Sequence, residues 1–153
     1  MFSVVKCFFV KLKVAWIGKT KEPAIQSLTD EYLKRIGRYA PVEGVSLKDE
    51  AGLKNVGGRG VRSFLVLLDS RGKQLSSEEL AKFVGNYQDQ SSAPLVFAIG
   101  PASGFSNETL QSASLLLSIG KMTLAHELAR VVLLEQIYRA FTILKGHPYH
   151  LGH

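Results

Sequence analysis

The side chains best suited to chemistry sit late in the chain. Ser118-Ile119-Gly120-Lys121-Met122-Thr123-Leu124-Ala125-His126 runs into a long apolar segment, and His147-Pro148-Tyr149-His150 follows it. A loop of small residues opening into a helix start can offer backbone N–H groups to an anionic or nucleotide-like ligand. His126, at that helix start, can hydrogen-bond or act as a base. The rings of Tyr149 and His150 can stack on nucleobases while Arg130 and Arg139 hold phosphate. Glu135 and Arg139 lie four apart on one helical face, a spacing that predicts an ion pair. A zinc site using His147, His150 and His153 is not expected, because the tail carries no carboxylate or cysteine beside them.

The elements that must position these residues belong to one domain. A chain of 153 residues that is 46% hydrophobic can bury its own core. Lys and Arg number 19 against 13 acids, a formal charge of +6 that suits an anionic partner such as RNA. The single cysteine, Cys7, excludes an internal disulfide and a multi-cysteine metal site, in keeping with a reducing cytoplasm. The apolar opening is interrupted by Lys6 and is too short to span a bilayer. Residues 1–10 therefore read as an N-terminal extension, with Val10 as the original initiator, and 11–153 as the domain. Arg130, Glu135, Gln136 and Arg139 argue against a membrane span in the last apolar segment.

Helices and strands alternate along 11–150. A strand over 11–18 precedes a helix from Pro23 to about Gly37, with proline in its first turn and an apolar stripe from Ala24 to Ile36. A short strand over 42–47 and a polar, glycine-bearing connection over 48–62 follow. The runs 64–69 and 94–100 are apolar throughout, as strands buried on both faces are. Ser76 and Glu79 form a capping-box pattern for a helix to about Gln90. Asn107 is placed to cap a short helix to about Ser114, and 115–118 is the last strand. The helix over 126–145 is apolar nearly all round, so it must be covered on more than one side, by the sheet and by a second subunit. This pattern predicts an α/β fold, a mainly parallel sheet with helices on both faces. Ligands in such sheets bind outside the carboxyl ends of the strands, which here are Leu68-Asp69, Ile99-Gly100 and Ser118-Ile119-Gly120. No G-x-G-x-x-G follows the first strand and there is no Walker loop, so the pattern does not support a dinucleotide or nucleoside triphosphate site.

Lys121-Met122-Thr123-Leu124-Ala125-His126, the stretch from Arg130 to Phe141, and His147-Pro148-Tyr149-His150 together resemble the ribosomal RNA large subunit methyltransferase H family. The resemblance extends over most of 11–150. It implies a SPOUT-type fold with a C-terminal trefoil knot, a feature no periodicity can reveal. It also implies a cytoplasmic homodimer that uses S-adenosylmethionine, and no metal, to methylate N3 of a pseudouridine in 23S ribosomal RNA or the assembled ribosome. By motif, Leu68, Gly100, Ile119, Gly120, Lys121, Met122, Thr123 and Leu124 would hold the donor. His126, Arg139, Tyr149 and His150 would position the RNA or accept its proton, with Arg130 as a further RNA contact. The last helix would form the dimer interface and the tail would reach the site.

Three places depart from that pattern. Pro101 stands where the family commonly has a second glycine, Ala125 where it commonly has proline, and 48–62 is about a dozen residues short. Proline removes a backbone donor and fixes φ, which bears on donor affinity. The rival reading is a non-catalytic RNA-binding or ribosome-associated protein that keeps the fold and has lost the donor.

Overall fold

The computed structural model describes residues 11–151, so the extension expected at 1–10 and the ligand candidate His153 lie outside the described residues. The strands are β1 (Leu12–Ile17), β2 (Val42–Leu47), β3 (Phe64–Gln74), β4 (Leu95–Ile99) and β5 (Leu115–Ser118). The helices are α1 (Pro23–Ile36), α2 (Ser77–Gln90), α3 (Asn107–Gln111) and α4 (His126–Leu144), with 3-10 turns at Glu50–Asn55 and Pro148–His150. All strand pairs are parallel, in the order β2-β1-β4-β3-β5. β4 is central and buried along its whole length, the environment its unbroken apolar run requires.

The two faces are covered unequally. On one, α1, α2 and α4 pack side chains such as Ile36, Leu80, Val84, Leu133 and Phe141 against Leu12, Val14, Val66 and Phe97. On the other, Leu53 and Val56 of the 48–62 connection join Phe105, Leu110 and Ala113 over Ala15, Leu67, Val96 and Ala98. Long helices therefore cover one face only. The short connection, expected to be irregular, supplies a 3-10 turn capped by Asp49, whose carboxylate accepts the Ala51 N–H at 3.1 Å.

Local signals account for most boundaries. Ser76 and Glu79 form the reciprocal capping box, at 2.8 and 3.0 Å. α3 is capped by Ser106 rather than Asn107: the Ser106 hydroxyl accepts the Thr109 N–H at 3.2 Å, so the helix starts one residue earlier than expected. α4 lies between α1 and α2 on the sheet, which explains its nearly all-round apolar sequence. Burial within one chain covers most of it, leaving Leu128 and Leu144 as its exposed large hydrophobics.

β3 runs beyond its apolar segment. Leu68 pairs with Leu117, the chain makes a short excursion, and Lys73 pairs with Leu117 again. The excursion lies hard against β5: a Cβ on Gly72 would sit 2.5 Å from the Leu116 carbonyl carbon, so only glycine fits.

A candidate ligand cavity at the strand ends

A cavity of about 510 Å³ opens at the carboxyl ends of β3, β4 and β5. Leu68 and Asp69 form one wall, Ile99 to Ala102 with Phe105 a second, and the loop after β5 a third; His126 and Ala129 of α4 close it. The loop turns at Gly120, whose φ of +143° is a conformation side-chain-bearing residues rarely adopt. Ser118 braces that turn, its hydroxyl accepting the Gly120 N–H at 3.2 Å and donating to the Gly120 carbonyl at 3.0 Å. At the end of β4, the Gly104 N–H donates to the Pro101 carbonyl at 2.8 Å, so Pro101 opens a turn without strain. A Cβ on Gly100 would lie 3.2 Å from the Phe105 ring, which packs here because the side chain is missing.

Seven of the residues singled out for a ligand line this cavity: Leu68, Gly100, Ile119, Gly120, Met122, Thr123 and Leu124. Lys121 does not, and its side chain is exposed. His126 does, and with Asp69 it supplies the titratable side chains of the wall. The strand-end position of Asp69 was legible, but not its environment. Its carboxylate accepts Arg71 Nε at 3.0 Å and Nη2 at 3.1 Å, and the guanidinium holds its pKa below the usual carboxylate range.

Arg130 overturns an expectation. It is 1% exposed, with its guanidinium 4.1 Å from the centroid of the Trp16 ring, so it cannot contact RNA. Its Nη1 donates to Thr20 Oγ1 at 2.7 Å and reaches Thr29 Oγ1 at 3.4 Å; burial lowers its pKa. Arg130 is buried because α1 packs on that side of α4. Glu127, unremarked in the sequence, turns the same way. Its carboxylate accepts the backbone N–H groups of Lys21 at 3.0 Å and Glu22 at 3.3 Å, bonds that hold its pKa below the ordinary value.

The tail forms a separate cluster. Arg139 pairs with Glu135 at 2.6 Å, as the spacing predicts, and Tyr149 donates its hydroxyl to the same carboxylate at 2.8 Å. Arg139 Nη1 lies 2.9 Å from His150 Nδ1, and His150 Nε2 lies 2.8 Å from a Glu78 oxygen. Arginine can only donate, so Nδ1 accepts and the Nε2 proton faces Glu78. His147 caps the last turn, its Nδ1 accepting the Tyr149 N–H at 3.1 Å. Along α4, His126 and Arg139 stand about 20 Å apart at 1.5 Å per residue. The tail therefore lies away from the cavity of its own chain, with none of its residues in the cavity wall. Among the described residues no group of three or more His, Cys, Asp or Glu is placed to hold a metal ion. No helix among them is long and apolar enough to cross a membrane.

Comparison with known proteins places this architecture. The family described as predicted SPOUT methyltransferase matches residues 10–150. The ribosomal RNA large subunit methyltransferase H of Koribacter versatilis is 60% identical over 146 residues, covering 94% of this chain and 100% of the relative. That of Geobacter metallireducens is 43% identical over 154 residues, covering 92% and 99%. Among solved structures, a probable methylase family protein from Haemophilus influenzae superposes with a TM-score of 0.61 at 12% identity, covering 90% of this chain and 69% of that one. A probable methyltransferase from Bordetella pertussis gives 0.60 at 11%, covering 87% and 95%. At those identities the likeness is one of fold.

Proposed function

The chain belongs to the SPOUT methyltransferase family, among the large subunit methyltransferase H proteins, and on that premise we propose that it methylates N3 of a pseudouridine in 23S ribosomal RNA using S-adenosylmethionine. The observation that carries this reading is the cavity, formed where a parallel sheet of this family would receive a ligand and lined by the motif residues themselves. Its volume of about 510 Å³ suits a nucleoside-sized molecule. The residues present fit the donor: Leu68, Ile99, Ile119 and Leu124 offer apolar contact, and glycines at 104 and 120 leave the backbone open to polar groups. When bound, the donor supplies a methyl group already activated on a sulfonium.

What remains for the protein is alignment and removal of the N3 proton. His126 is the imidazole on the cavity wall and is assigned that proton. Asp69, kept ionised by the Arg71 guanidinium that pairs with it, places a carboxylate on the wall. A homodimer completes the reading. A second copy lying over Met122, Leu124 and Leu128, the exposed apolar side chains at the start of α4, would shield them and could set its own Tyr149 and His150 beside the cavity. The trefoil knot of the family would be tied where the Gly72 excursion presses on β5, and a cytoplasmic location follows from the substrate.

Two measurements test the proposal. Titration calorimetry with S-adenosylmethionine should show saturable binding to the purified protein; its absence at millimolar donor would leave a non-catalytic RNA-binding protein as the reading. Mass spectrometry of 23S ribosomal RNA from cells lacking the gene should show one pseudouridine without its methyl group.

A further inference from the structure

The first turn of α4 has two working sides. His126 and Ala129 face the cavity, whereas Glu127 and Arg130 grip the loop between β1 and α1. The grip is unusual in its use of charge. The Glu127 carboxylate binds the backbone of Lys21 and Glu22 rather than an ammonium group, and Arg130, with its Nε unpartnered and buried, holds Thr20. The loop backbone is thereby fixed against α4, while the side chains of Lys19 and Lys21 stand exposed. Neither lysine has a carboxylate within salt-bridge distance among the described residues, a trait shared by other exposed cations such as Lys34 and Lys82; what sets these two apart is the loop backbone held by Glu127 and Arg130.

Two exposed cations on a loop pinned to the first turn of α4, the turn whose other side lines the cavity, offer an anion contact beside the site. From this geometry we infer that Lys19 and Lys21 contact backbone phosphates of the ribosomal RNA next to the target nucleotide, with Glu127 and Arg130 as the positioning residues of that contact. The inference rests on the rRNA methyltransferase reading. A lysine holds phosphate as a point charge without reading the base, so the loop sets register and leaves the choice of nucleotide to the cavity.

The test is the salt dependence of RNA binding. Each phosphate contact contributes about one unit to the slope of log affinity against log salt. The variant K19A/K21A should flatten that slope by about 2 on a 23S fragment containing the target and raise the KM for RNA, with kcat and calorimetric donor affinity unchanged. K19R/K21R should restore the wild-type slope. An unchanged slope in K19A/K21A, or a loss of donor affinity in it, would overturn the inference. A wild-type protein that binds donor but transfers no methyl group to RNA would instead overturn the reading beneath it, before any variant is compared.

Discussion

Glu127 and His126 are neighbours on α4 that serve different elements: His126 lines the cavity, while Glu127 binds the backbone of Lys21 and Glu22 at 3.0 and 3.3 Å. The Glu127 bonds are strongest while the carboxylate is charged. Its folded-state pKa is lowered, so the stabilisation is present above the ordinary value near 4.5 and is lost as pH falls through the folded value. E127Q should therefore show a shallower loss of stability between neutral pH and pH 4 than the wild type, measured by urea midpoints across that range. Equal pH slopes would remove Glu127 as the sensitive group.

His126 carries the sharpest catalytic prediction. If it takes the N3 proton, H126A should lower single-turnover methyl transfer by about 10²-fold or more, with donor affinity changing far less. Transfer at the wild-type rate would assign the proton acceptor elsewhere.

Arg130 separates burial from RNA contact. R130M keeps much of the volume over Trp16 and removes a buried charge together with its hydrogen bond to Thr20. Its salt slope for RNA should fall only through loosening of the Thr20 loop, by less than the one unit a direct phosphate contact would contribute. A drop of a full unit with an unchanged loop, followed by hydrogen exchange at Thr20 to Glu22, would contradict the buried placement.

Tyr149 tests the tail cluster. Burial and the Glu135 carboxylate push its phenol above its usual pKa, so the stabilisation is complete below pH 10 and is lost only as pH rises through the folded value. Y149F removes the hydroxyl and should cost about 1 kcal/mol in urea unfolding at neutral pH. Donor affinity should stay as in the wild type, because Tyr149 bonds Glu135, about 13 Å along α4 from His126, and does not line the cavity.

Gly72 tests the fit of β3 against β5. G72A would place a Cβ 2.5 Å from the Leu116 backbone, which cannot swing aside as a side chain would. A destabilisation of about 3 kcal/mol is expected, with loss of donor binding because Leu68 and Ser118 flank the same contact. Thermal unfolding and calorimetry together would show it.

The sequence made the sheet legible because its apolar runs match its burial: β4 is buried at all five positions, and the Ser76 box marks its helix start. The cavity was legible because a parallel sheet collects its strand ends, and Leu68, Gly100 and Ile119 stand at three of them. Long-range placement was not. Whether Arg130 meets solvent depends on α1, about a hundred residues earlier, and the distance of Tyr149 from His126 depends on α4 staying straight. Asn107 misled for the opposite reason, since Ser106 one position earlier is an equally good cap and local chemistry alone does not choose between them.

The double pairing of Leu117 with Leu68 and Lys73 also governs when the protein can begin to work. The cavity wall draws on residues from Leu68 to Ala129, and its two ends meet across that contact. Every preceding element can form on a growing chain while the wall is still missing. An rRNA methyltransferase thus acquires its ligand site late in its own synthesis, and a chain interrupted before Ala129 would have the strands of the sheet and an incomplete cavity wall.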